Sequence, residues 1–151
     1  MPYQQWVDDG ILTATEGDIT DYDVIREDIR GLGRRYQIRE LGYDPWNATQ
    51  LATQLTGDGA TLIPIPQGYA HLNAPSQLLE GLVAAAKLRH GGDPALRWMA
   101  GNMAWDTDGT GNIKPSKKRS NERIDGIAAG VMGLSRYLVQ TDEVDEGPTL
   151  W

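Results

Sequence analysis

Two aspartates stand where carboxylate chemistry would be placed. Asp125 lies within Asn121-Glu122-Arg123-Ile124-Asp125-Gly126-Ile127-Ala128-Ala129-Gly130, in the first turn of an otherwise apolar, small-residue helix. Ile124, Ile127, Val131, Leu134 and Leu138 recur at helical spacing and mark a buried stripe, with Asp125 beside it. A carboxylate at the edge of a core costs free energy unless a cation, a metal or several donors meet it. The helix N-terminus offers part of that compensation, about 0.3–1 kcal/mol. A helix-terminal Asp doing only that is the plain alternative to a metal ligand.

Asp44 is the second aspartate. It follows residues 36–43 (YQIRELGY), which read as a strand, and precedes Pro45, which pushes it into an extended conformation. Functional groups gather at the carboxyl ends of strands in open α/β sheets, although an Asp before Pro is also a routine Asx-turn residue. Metal sites assemble from distant segments, so the two carboxylates could hold Mg²⁺ or Mn²⁺, ions that prefer oxygen ligands and keep several waters. Such ions activate water and stabilise the leaving oxygen in phosphodiester cleavage.

Immediately before the Asp125 helix, Lys114, Lys117, Lys118, Arg119 and Arg123 crowd into ten positions opposed only by Glu122. That cluster reads either as a phosphate grip or as a solvated loop. The formal net charge of −7 argues against nucleic acid only in sum, because Asp142, Glu143, Asp145 and Glu146 pile up in the tail. Residues 106–113 resemble the start of a Ca²⁺-binding loop, with oxygen donors Asp106, Asp108 and Thr110 at positions 1, 3 and 5, Gly111 at 6 and Ile113 at 8. Its twelfth position, however, is Lys117, whose ammonium repels the ion, so a Gly-rich turn between strands is the better account. His71 and His90 stand in no triad-like pattern, and a structural role for His90 at a helix C-terminus fits the dipole. No Walker A phosphate loop occurs. With 0 Cys, disulfides and thiolate chemistry are excluded. No apolar run is long enough to span a membrane and the first residues carry no signal-peptide pattern, so the expectation is a soluble, cytoplasmic protein without membrane partners.

The elements that must position these residues follow from periodicity and punctuation. Thr20 with Asp23 resembles a capping box, before a helix faced by Tyr22, Ile25, Ile29 and Leu32 that Gly31 and Gly33 end. After Asp44, Asn47 reads as an N-cap, Leu51 and Leu55 face inward, and Gly57-Asp58-Gly59 stops the helix. Residues 61–65 read as a short strand that Pro64 confines to an edge or a strand end. Strand, helix, strand suggests a parallel βαβ unit and the α/β class. A helix over residues 75–89 turns Leu78, Leu79, Leu82, Val83 and Ala86 inward, and a further helical turn or two covers 95–100. Two short strands lie at 102–106 and 111–114, and the last helix runs from near Ser120 to near Gln140. The five Trp read as core or packing residues, with Trp46 and Trp105 also placed to shield a site.

With these residues assembled, the chain resembles the C-terminal nuclease portion of a bacteriophage large terminase subunit, the DNA-packaging motor. The resemblance rests on Trp6 with Gly10-Ile11-Leu12 and Gly17-Asp18, then Gly42-Tyr43-Asp44-Pro45-Trp46-Asn47 and Lys87-Leu88-Arg89-His90-Gly91-Gly92-Asp93-Pro94. It continues through Asn102, Gly111-Asn112-Ile113-Lys114-Pro115 and Arg123-Ile124-Asp125-Gly126. It implies a ribonuclease-H-like fold and a metal-dependent endonuclease that cuts concatemeric double-stranded viral DNA in the cytoplasm of a bacterial host. Asp44 and Asp125 fall on two of the family's metal-binding carboxylates, with Mg²⁺ or Mn²⁺ as cofactor. Lys114, Lys117, Lys118 and Arg119 become candidate DNA contacts. The portal protein, the small terminase subunit and the ATPase domain of the large subunit become the expected partners. The chain departs from the family pattern in lacking the ATPase domain and, by this reading, the opening strands that carry the first metal-binding Asp. The expected organisation is therefore a partial nuclease domain over 1–140 and an acidic tail over 141–151. A two-ion site built from two carboxylates is under-coordinated, so weak or absent cleavage by this chain alone is expected. A non-catalytic fragment docking on DNA or on packaging partners is the alternative.

Overall fold

The computed structural model describes residues 3–46 and 48–143, the side chains of 141–143 excepted. The chain divides into two compact units, Met1–Ile65 and Pro66–Trp151.

In the first unit, helix α1 (Tyr3–Asp8) buries Trp6, and helix α2 (Tyr22–Arg35) follows a loop. Asp21, not Thr20, caps α2: its carboxylate accepts the backbone N–H groups of Asp23 at 2.9 Å and Val24 at 3.2 Å. Gly31 and Gly33 do not end this helix, which continues to Arg35 and stops where Tyr36 turns extended. A helical glycine costs only about 1 kcal/mol, and Arg34 and Arg35 favour the carboxyl end of the helix dipole. Strand β1 (Leu41–Tyr43) is shorter than the 36–43 segment expected, because its parallel partner β2 (Leu62–Pro64) offers only three residues of pairing and 36–39 stay exposed. Helix α3 (Thr49–Gly57) connects them, so the expected parallel βαβ unit forms, and Pro64 takes the strand's end. Ala48 occupies the N-cap of α3 without a side-chain hydrogen bond, and Asn47, expected there, lies outside the described residues.

Asp58, at the α3 C-cap, gathers Arg26 and Arg30 from α2. Arg26 meets the carboxylate with two nitrogens, and Arg30 Nη2 lies 2.8 Å from Oδ1. The Arg26 guanidinium above all holds the Asp58 carboxyl well below its ordinary range. A depressed folded pKa stabilises the fold above the ordinary carboxylate pKa of about 4, and the contribution disappears as pH falls through the folded value. Asp58→Asn is therefore expected to lower the stability of the first unit at neutral pH and to flatten its acid dependence. Urea titrations at about pH 7 and about pH 3, followed by amide exchange in α2, measure this. Equal pH slopes for both proteins would contradict the assignment.

The second unit is built on helices α4 (Tyr69–Ala84), α5 (Pro94–Asn102) and α6 (Asp125–Glu143), with an antiparallel hairpin of β3 (Trp105–Thr107) and β4 (Ile113–Pro115). Helix α4 starts six residues before the expected Pro75, whose ring is buried inside it beside Leu72 and Ser76. That burial offsets the helical hydrogen bond a proline removes. The helix also ends early, at Ala84, where Ala86 adopts a left-handed conformation (φ 53°) and Lys87 N–H reaches the Leu82 carbonyl. Val83 and Ala86, expected inward, are exposed. Helix α6 begins at Asp125 and not near Ser120, because the Ser120 hydroxyl is spent on the preceding loop. It donates to the Ser116 carbonyl at 2.7 Å and accepts Ala104 N–H at 3.0 Å. The helix continues to Glu143, past the expected start of the acidic tail; residues 144–151 lie outside the described ones. Among the described residues, no helix is long and apolar enough to cross a membrane.

Candidate functional site

Asp44 follows β1 directly, at the carboxyl end of a parallel strand, and is half-buried. Its Oδ1 accepts the backbone N–H of Trp46 at 3.0 Å, so the Asx-turn reading holds for that oxygen. Trp46 is 80 % exposed and shields nothing from water.

Asp125 opens α6, as the sequence indicates, but it does not sit at the edge of the core. Ile124 and Val131 turn inward at 1 % and 0 % exposure, whereas the Asp125 side chain is 55 % exposed. No burial has to be compensated there. Lys117 Nζ lies 2.6 Å from Asp125 Oδ1, a pair whose lysine is itself 71 % exposed. Exposed pairs of this kind contribute about 0–1 kcal/mol, so a stronger ligand for the carboxylate displaces the lysine at small cost.

The basic residues divide by environment. Lys117, Lys118 and Arg119 are exposed in the loop that precedes α6. Lys114 is half-buried: its Nζ donates to the Gln67 carbonyl at 3.1 Å and lies 5.0 Å from the centre of the Tyr69 ring. Arg119 Nη1 stands 3.9 Å from Asp106 Oδ1. The Tyr69 hydroxyl is pushed up, first by burial and then by its hydrogen bond to the Asp106 carboxylate. Sequence reasoning missed this Tyr69–Asp106–Lys114 cluster because it placed the start of α4 beyond Tyr69.

The loop between β3 and β4 is the strand-linking turn expected. The Asp108 carboxylate accepts Thr110 N–H, Thr110 Oγ1–H and Asn112 N–H at 2.9 Å each, and Asn112 Nδ2–H at 2.8 Å. These bonds, the Asn112 amide foremost, lower its carboxyl to about 2. His90 lies in the loop beyond α4, so its expected place at a helix C-terminus is corrected; its Nδ1 accepts Gly92 N–H at 3.3 Å. It lines an apolar cavity of about 690 Å³ with Leu79, Val83, Leu96 and Trp105, and neither Asp44 nor Asp125 borders that space.

Among the described residues, no group of three or more His, Asp or Glu side chains gathers closely enough to hold a metal ion. Of the two aspartates, Asp44 lies in the first unit and Asp125, open to solvent, in the second. A solvent-open carboxylate such as that of Asp125 fits Mg²⁺ or Mn²⁺ held largely by water and substrate phosphate, and does not fit an all-protein cage.

A family model described as terminase large subunit, endonuclease domain matches residues 1–141. Protein YmfN of Escherichia coli (strain K12) is 31% identical over 144 residues, covering 93% of this chain and 31% of the relative. The terminase large subunit of Enterobacteria phage HK97 is 30% identical over 135 residues, covering 88% of this chain and 27% of the relative. The crystal structure of the HK97 bacteriophage large terminase superposes with a TM-score of 0.82 at 29% identity, covering 89% of this chain and 29% of that one. The chain thus spans less than a third of the length of these relatives. The structural likeness supports the α/β, ribonuclease-H-like fold class.

Proposed function

Because this chain belongs to the family of terminase large subunit endonuclease domains, we propose that it carries out divalent-cation-dependent cleavage of double-stranded DNA during viral genome packaging in a bacterial host's cytoplasm. Asp44 and Asp125 would hold Mg²⁺ or Mn²⁺, and Lys114, Lys117, Lys118 and Arg119 would meet phosphates. When bound, the ion supplies charge stabilisation at the phosphate and activation of the attacking water. The chain's own residues bind and orient. The basic run draws the phosphate backbone toward the entrance of α6, and Lys117 exchanges its carboxylate partner for a phosphate. On this reading the partners are double-stranded DNA, the portal protein, the small terminase subunit and the large subunit's ATPase domain.

The observation that carries the reading is an exposed carboxylate at the head of α6, paired with the exposed Lys117, at a position the family match spans. Incubation with supercoiled plasmid and Mn²⁺ tests it. Weak nicking that chelation stops supports it; no nicking at any Mn²⁺ concentration would overturn cleavage by this chain alone and leave the docking reading. The Lys117–Asp125 pair and the absence of a three-ligand group among the described residues favour a second reading, a non-catalytic DNA-docking segment. It predicts gel-shift retention that weakens steeply with salt, without strand breakage.

A further inference from the structure

Helix α6 begins at Asp125, so the N–H of Gly126 is one of the first-turn donors that no helical carbonyl can satisfy. It is not left to water. Gly126 N–H donates to the thioether of Met99, on α5, with N···Sδ 3.2 Å. Position 126 is also built for that approach: a Cβ there would stand 2.9 Å from Met99 Sδ and 3.2 Å from Leu96 Cδ1. The residue next to the exposed carboxylate is therefore tied to a neighbouring helix through a side chain that the family-like motifs do not include.

We propose that Met99 is a positioning residue for Asp125. Its sulfur fixes the first turn of α6 against α5, and so fixes the direction in which the Asp125 carboxylate is presented. A side chain at position 126 would push the thioether out of this contact. The inference rests on the reading of Asp125 as a cation ligand. Met99 touches neither substrate nor ion, and its effect passes through the backbone of the first turn.

Met99→Leu keeps the volume and removes the acceptor; Met99→Gln puts an amide oxygen on an unbranched chain of similar length and restores one. In the full chain, Met99→Leu is expected to speed amide exchange at Gly126 and to raise the Mn²⁺ concentration for half-saturation, each by about three- to tenfold, the range one hydrogen bond spans. The melting temperature should change little, and Met99→Gln should recover both readouts. Unchanged Gly126 exchange in Met99→Leu would overturn the clamp. Faster exchange with unaltered Mn²⁺ binding would overturn the positioning role, while loss of binding in Asp125→Asn would leave the cation reading standing. Wild-type Mn²⁺ binding by Asp125→Asn would overturn that reading, and this inference with it.

Discussion

Asp125→Asn is expected to reduce whatever Mn²⁺-dependent nicking of supercoiled plasmid the wild-type chain shows by about a hundredfold or more, to the background of a metal-free control. Removing one preorganised electrostatic partner of a reacting centre costs rate by about 10²–10³, and an amide oxygen is a poor substitute for an anionic ligand of a hard cation. The substitution leaves the fold intact, because the Asp125 side chain is 55 % exposed and its pairing with Lys117 is solvent-screened. A loss of activity therefore reports on chemistry and not on folding, which unchanged circular dichroism and melting temperature check. Equal rates for both proteins would take Asp125 out of the mechanism.

Ile124→Ala has the opposite character and the largest expected effect on stability. Ile124 is 1 % exposed, one residue before the head of α6, and its carbonyl accepts Ala128 N–H at 3.0 Å. Truncating a fully buried Ile costs about 2–5 kcal/mol, from lost transfer free energy and the cavity left behind. Val83→Ala, on the 59 %-exposed face of α4, serves as control in the same unit and should cost well under half as much. Urea unfolding of the three proteins measures both. Equal losses would mean that the stripe through Ile124 and Val131 is not the core of the second unit.

The reading of Ile124 and Val131 as core came directly from helical spacing, while the βαβ unit, the β3–β4 turn and the placing of Asp44 at a strand end came from element order and from Gly and Pro punctuation. Each depends on contacts close in sequence or on strong punctuation. The failures share a different cause. Gly31, Gly33 and Pro75 were read by local propensity, while burial or an intact hydrogen-bond ladder carries the helix through all three. Asp125 was read by periodicity as core-edge, but the buried stripe turns at Ile124 and leaves the next residue to solvent. Lys117 as its partner was not legible, because the nine loop positions 116–124 precede the helix and no local rule fixes their path. The Met99 sulfur was invisible for the same reason: a thioether accepting a helix-terminal N–H leaves no mark in spacing or charge.

Calorimetric titration of Mn²⁺ into the wild-type chain, Asp44→Asn and Asp125→Asn tests most directly whether these two carboxylates serve a divalent cation. The account predicts binding heat for the wild type and its loss or marked weakening in both variants. Mn²⁺ binding of wild-type strength in either variant would contradict it.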